Sequence, residues 1–190
     1  MMRLTKEKLS FIISLIMTSI IVLFIVSTPA KAVNAPDVYE LQLKKVLDGD
    51  TVEFIKDNLD FKCRIYGIDT PEKFKGKKLN EDVRRTGIPA VVHQEAGLQS
   101  TEYAENFFDA YTYRVEDYGA DLYQRHLCVV YKNDISYNES ILKDGYAVVY
   151  KNGKYTNNKE LKARLNSAQE EGLNQGLNVE FKDLMQKLRE

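Results

Sequence analysis

The sequence predicts an α+β, mainly β, fold: a five-stranded OB-type barrel with about three packed helices, preceded by an N-terminal signal or anchor segment. Three observations predict it. Five short runs of strand character, bounded by turn residues, succeed one another between Val38 and Tyr131. One amphipathic helical stripe falls between the third and the fourth run, the order that an OB-type barrel needs. The 190 residues, 44% of them hydrophobic, suit one domain with one core.

Residues 1–32 read as an export signal. Arg3, Lys6 and Lys8 make a positive start, Leu9 to Val26 is apolar but for Ser and Thr, and Pro29-Ala30-Lys31-Ala32 ends in a small-x-small pattern, so cleavage falls after Ala32. The apolar run is also nearly long enough to span a bilayer, so residues 9–26 serve either as a signal peptide or as a membrane anchor. Either way the folded part lies outside the cytoplasm: secreted, periplasmic or anchored facing outward. Residues 33–37 form a linker, 38–175 the domain and 176–190 a C-terminal tail.

Within the domain, Val38 to Leu47 alternates as a first strand, and Asp48-Gly49 turns it into a second, Val52 to Ile55. Lys56 to Asp60 leads to the third, Phe61 to Ile68. Lys73 to Ala96 shows no usable period and reads as a long loop. Its six cations (Lys73, Lys75, Lys77, Lys78, Arg84, Arg85) either guide a polyanion or form a solvated charge run. Ser100, Tyr103, Ala104, Phe107, Phe108 and Tyr111 then fall on one stripe, predicting a helix over Gly97 to Ala110. Thr112 to Glu116 is a fourth strand, Asp117 to Ala120 a turn, and Arg125 to Tyr131 a fifth strand. Ser136 to Asp144 is a short helix stopped at Gly145. A capping pair, Asn157 and Glu160, opens a last helix over Asn158 to Glu171 with Leu161, Leu165 and Ala168 inward. Glu180 to Glu190 is amphipathic, helical or frayed.

The charge balance narrows the function. The formal net charge is −1, and residues 1–32 hold four basic groups against one acidic, leaving 23 basic and 27 acidic residues beyond them. A net of −4 is not the footprint of a protein that coats DNA, so any nucleic-acid contact must be local. Cys63 and Cys128 are either one disulfide or two buried thiols. Apart from His126-x-Cys128, no His or Cys spacing suits zinc.

Chemistry concentrates between Asp48 and Glu72. If the second and third strands pair as a hairpin, Asp50 and Asp69 emerge at the same end. Two carboxylates there repel unless a cation lies between them, and an all-oxygen site suits a hard divalent ion, Ca²⁺ or Mg²⁺. Arg64 stands five positions before Asp69, on the opposite face of a regular strand, unless a bend near Gly67 brings them together. A cation, an arginine and a spare carboxylate, Glu72, are what cleavage of a phosphodiester requires.

The chain from about Val38 to Leu173 resembles the staphylococcal nuclease (thermonuclease) family. The resemblance rests on Asp48-Gly49-Asp50-Thr51, Arg64, Asp69-Thr70-Pro71-Glu72, Gly97-x-x-Ser100, Asp121-x-x-x-Arg125, Asn138-Glu139 and Gly145-Tyr146-Ala147, in that order. It implies a Ca²⁺-dependent endonuclease, a monomer acting on DNA and RNA and leaving 3′-phosphates. Asp50, Asp69 and the Thr70 carbonyl would hold the Ca²⁺, and Glu72 would hold or activate the attacking water. Arg64 and Arg125 would bind the phosphate oxygens, and Tyr123 would touch the nucleotide. The chain departs from the family in reading Tyr123-Gln124-Arg125 where Tyr-Gly-Arg is usual. A rival alignment through Tyr118-Gly119 sets Ala120 in the place of Arg125, but only the Arg125 alignment continues without a gap to Asn138-Glu139. The alternative function is a non-catalytic nucleic-acid-binding module of the same fold.

Overall fold

The computed structural model describes residues 35–150 and 158–190. The expected leader and Asn157 lie outside the described residues. Among those described, no helix is long and apolar enough to cross a membrane.

Five strands close into a barrel: β1 (Asp37–Asp48), β2 (Thr51–Lys56), β3 (Leu59–Ile65), β5 (Thr112–Ala120) and β6 (His126–Lys132). Their order is β3-β2-β1-β5-β6, and β3 pairs back onto β6, which leaves the barrel without a free edge. β1 can serve two neighbours because it is long and irregular. It pairs with β5 through Asp37–Gln42 and with β2 through Gln42–Asp48, with register shifts at Leu43/Lys45 and Val46/Asp48 that bend it. β2 and β3 form the expected hairpin, with Asp57 and Asn58 at positive φ in the two-residue turn. The closing β3–β6 pair is parallel, Cys63 facing His126 and Ile65 facing Cys128. Between these strands Cys63 and Cys128 form a disulfide, which resolves the cysteine alternatives and leaves neither available to zinc.

Alternation fills the interior. Val52 and Phe54, Phe61, Cys63 and Ile65, Tyr113 and Val115, and Cys128 and Val130 point inward and are buried. Phe54, Phe108, Tyr113 and Tyr137 close one end with ring centroids 4.7–6.2 Å apart.

The three expected helices are present as α2 (Ala90–Phe107), α3 (Tyr137–Lys143) and α4 (Lys159–Glu171). Ser136 caps α3 by accepting from the Glu139 N–H. Asn158 caps α4, its side chain accepting from the Leu161 N–H. Two short strands, β4 (Ile68–Asp69) and β8 (Val148–Val149), pair with each other, and β7 (Ile135–Ser136) pairs antiparallel with the end of β6.

The structure corrects three expectations. Residues 73–96 are not a long loop: α1 (Lys77–Thr86) occupies the middle, and α2 starts seven residues early, at Ala90 after Pro89. The buried faces of these helices carry Leu79, Asp82 and Thr86, then His93, Ala96, Gly97 and Ser100. In α2 small and polar residues in those places erase the hydrophobic contrast from which a helix is read, whereas α1 is short and dominated by charged residues. Tyr111, assigned to the α2 stripe, lies beyond the helix and is exposed. Asp117–Ala120 is not a turn. β5 runs through it to Ala120, and the reversal falls at Asp121–Arg125, where Gln124 takes the positive φ. Of the two alternatives for the C-terminal stretch, the helical one is found: α5 (Leu177–Glu180) and α6 (Lys182–Arg189) bury Leu177, Leu184, Met185 and Leu188 against Ile88, Ala96 and Val148.

Candidate active site

The β2–β3 hairpin sets Thr51 opposite Arg64, so the start of β2 and the end of β3 share one end of the barrel. Gly67, at φ 79°, then turns the chain sharply. The Tyr66 N–H is held by the Cys128 carbonyl, and β4 returns Asp69 across the strand end. The bend brings together what a regular strand would hold apart. The Arg64 guanidinium is hydrogen-bonded to the Asp69 carboxylate at 2.7 Å and, through its other terminal nitrogen, ion-paired with Asp50.

Asp50 is buried, and its carboxylate is met by donors. Its Oδ1 accepts from the Thr51 hydroxyl and meets Arg64, while its Oδ2 accepts from the Thr70 N–H at 3.0 Å and the Thr70 hydroxyl at 3.1 Å. The Asp50 N–H donates to Asp48 Oδ1, an Asx turn that fixes the approach to β2. Gly49 is obligatory in that turn, because a β-carbon there would stand 2.9 Å from Ser100 Cβ and Thr70 Cγ2.

The same fold brings Glu72 to the site. Gly97 of α2 lies under the backbone of Pro71–Lys73, and Ser100 one turn on donates to the Tyr146 carbonyl. Gly97 is therefore a seat for the Glu72 segment, while Ser100 packs on Gly49. The Glu72 carboxylate receives a 2.6 Å hydrogen bond from Lys78 of α1, whose ammonium also reaches Asp69 at 3.3 Å and Asp82 at 3.5 Å. Burial works against the Lys78 charge, but Asp69, Glu72 and Asp82 outweigh it and hold its pKa above the ordinary lysine value.

Asp50, Arg64, Asp69, Glu72, Lys78, Tyr123 and Arg125 all line one cleft of about 770 Å³. Thr70 is buried, with its N–H and hydroxyl turned to Asp50. Arg125 enters from the β5–β6 loop. Its Nε and a terminal nitrogen are held by Asp121 Oδ2 at 2.9 and 2.7 Å, and its guanidinium carbon lies 5.5 Å from the exposed Tyr123 ring. Asp121 also accepts from the backbone N–H groups of Tyr123 and Arg125, so one carboxylate shapes the loop and aims the arginine. Ala120, the rival to Arg125, pairs with His126 in the sheet and does not line the cleft.

Lys78 is not legible as a site residue in the sequence, and Asp121 enters there only within the Asp121-x-x-x-Arg125 motif, with no role assigned. Lys78 is one of six cations in a stretch without visible period, and its i,i+4 relation to Asp82 becomes a signal only once α1 is known to be a helix.

Among the described residues no group of three or more His, Cys, Asp or Glu side chains is spaced to hold a metal ion. Asp50 and Asp69 offer the carboxylate oxygens that a hard divalent cation takes, and in this structure the Arg64 guanidinium is the positive charge paired with both.

A family model described as staphylococcal nuclease homologue matches residues 62–179. The chain belongs to the staphylococcal nuclease family. An uncharacterized protein of Methanocaldococcus jannaschii is 32% identical over 129 residues, 62% of this chain and 62% of that protein. A thermonuclease of Staphylococcus intermedius is 27% identical over 139 residues, 72% of this chain and 73% of that protein. The matched region of this staphylococcal nuclease homologue takes in Arg64, Asp69, Glu72 and Arg125 and begins after Asp50.

Proposed function

We propose that this chain is an exported Ca²⁺-dependent nuclease that hydrolyses phosphodiester bonds of DNA and RNA and leaves 3′-phosphates. The observation that carries the reading is the convergence of Asp50, Arg64, Asp69, Glu72 and Arg125 on one cleft in a member of a nuclease family. Export rests on the pattern of residues 1–32 alone.

In this reading Asp50, Asp69 and the Thr70 carbonyl hold the ion, which when bound polarises the phosphate and offsets charge as it builds. Arg64 and Arg125 take the non-bridging phosphate oxygens, where a planar fork of N–H donors matches the geometry of the anion. Glu72 accepts a hydrogen bond from the attacking water and orients it toward phosphorus. Tyr123, exposed beside Arg125, offers a face to the neighbouring base. Before substrate binds, each arginine is held by carboxylates, Arg64 by Asp50 and Asp69 and Arg125 by Asp121, so both stand aimed into the cleft, and taking phosphate exchanges part of those pairs for the substrate's oxygens.

The same pairing favours a second reading, a binding module without turnover, because Arg64, Glu72 and Arg125 are already matched within the protein. Incubation of the purified protein with single-stranded DNA and with RNA, in Ca²⁺ or in chelator, decides between them. Calcium-dependent cleavage with phosphate on the 3′ end supports the nuclease. Retention of intact nucleic acid after prolonged incubation, with binding, supports the module.

A further inference from the structure

We propose that Lys78 is a positioning residue for Glu72, with Asp82 as its anchor; the inference rests on the nuclease reading above. Lys78 stands in the first turn of α1, and its ammonium is shared by carboxylates from three segments: Glu72 at 2.6 Å, Asp69 at 3.3 Å and Asp82 at 3.5 Å. The contact with Glu72 is the short one and is a charge-assisted hydrogen bond.

The two ends of that bond differ in how firmly they are held. Glu72 sits in the irregular stretch between β4 and α1, and among the described residues Lys78 is the only side chain that donates to its carboxylate. Lys78 rises from a helix fixed on several sides. Leu79, Asp82 and Thr86 are buried, the Thr86 hydroxyl donates to the Asp82 carbonyl and lies 3.0 Å from His93 Nε2 of α2, and Arg85 donates to the Lys187 carbonyl of α6. Asp82 in turn is gripped by Arg85 at 2.9 Å on its other oxygen. The helix therefore sets where the Glu72 carboxylate points. An error of about 1 Å in a reacting group costs about a hundredfold in rate, so such a hold is worth having at this position and at few others. A lysine suits the task because its compact ammonium can serve three carboxylates in different directions, whereas a planar guanidinium would serve one plane. The plain alternative, an i,i+4 helix pair with Asp82, accounts for that one contact and not for the shorter one to Glu72.

The test uses the full chain with Lys78→Met, Lys78→Arg and Asp82→Asn. It reads kcat and KM on a single-stranded oligonucleotide, the melting temperature, and amide hydrogen exchange over residues 70–76. Lys78→Met is expected to lower kcat by at least about tenfold with KM within about threefold, Lys78→Arg to recover part of the loss, and Asp82→Asn to fall between. Exchange over residues 70–76 rises in Lys78→Met while the melting temperature holds. A kcat within about twofold of the unsubstituted protein, a loss confined to KM, or a loss that follows a lowered melting temperature overturns the proposal. If the unsubstituted protein cleaves no nucleic acid, the nuclease reading falls, and exchange alone then decides: faster in Lys78→Met supports the hold on Glu72, unchanged overturns it.

Discussion

Gly97 lies in contact with the backbone that carries Glu72. A β-carbon at position 97 would stand 2.6 Å from the Pro71 carbonyl oxygen and the Lys73 nitrogen, and 2.8 Å from the carbonyl carbon of Glu72. These are backbone atoms and cannot rotate away, so Gly97→Ala must push the segment outward. The expected result is a loss of stability of about 1–3 kcal/mol, the scale of overpacking, and a fall in kcat of about tenfold or more. Urea denaturation and a hydrolysis assay read the two separately.

Glu72→Gln keeps the shape of the side chain and removes its charge, and Arg125→Ala removes one phosphate contact. Each is expected to lower the rate of hydrolysis by at least about a hundredfold, the usual cost of one transition-state interaction. Unchanged melting temperatures would assign the loss to chemistry. Activity within about threefold of the parent in either variant would remove that residue from the proposed mechanism.

Asp121 sets a pH-dependent term. Burial pushes its carboxyl pKa up, but the Arg125 N–H and guanidinium and the Tyr123 N–H together pull it below the ordinary carboxylate value. A carboxyl depressed in the folded state contributes stability that is full above its unfolded pKa, about 4, and is lost as pH falls through the lower folded value. Asp121→Asn is therefore expected to be less stable than the parent at neutral pH, with the gap closing in acid below about pH 4. Denaturation midpoints measured across pH 2–7 check the sign. Hydrolysis by Asp121→Asn at pH 7 should fall about tenfold as Arg125 loses its anchor.

The Cys63–Cys128 disulfide closes a loop of 65 residues. On the chain-entropy model such a link contributes about 4 kcal/mol. The double variant Cys63→Val, Cys128→Val should lose stability on that scale, measured by denaturant titration against the oxidised parent. Equal midpoints would show that packing of the buried pair, not the bond, carries the stability.

Much of this architecture is legible in the sequence because its elements bury apolar side chains at regular intervals. The β2–β3 hairpin, the inner face of β6 and the Leu161, Leu165, Ala168 face of α4 are all of that kind. The meeting of Asp50, Arg64 and Asp69 is legible too, since it follows from a hairpin and one glycine bend. What escapes is where polar residues take core positions. α1 turns Asp82 and Thr86 inward with their hydrogen bonds supplied by Arg85 and His93, and nothing in a hydrophobicity pattern announces a partner that lies on another element. The β5 extension escapes for a similar reason: Asp117–Ala120 has turn composition, yet Asp117 is buried and paired with His126, which keeps the strand going. Lys78 is lost with α1.

Asn138 is fully buried and lines no part of the cleft. Its amide nitrogen donates to the Tyr66 and Cys128 carbonyls, and its oxygen accepts from the Val130 N–H, all within the protein interior. Where the bend after β3 interrupts the sheet, a single side chain of α3 thus replaces the missing rungs and rivets Gly67's neighbour to β6. An aspartate of the same size would leave the Tyr66 carbonyl without this donor in a dry place and the Cys128 carbonyl with the Tyr66 N–H alone. Drift in α3, on the far side of the barrel wall, would reach Arg64 and Asp69 from behind, as a loosened hinge pin reaches the edge of a door.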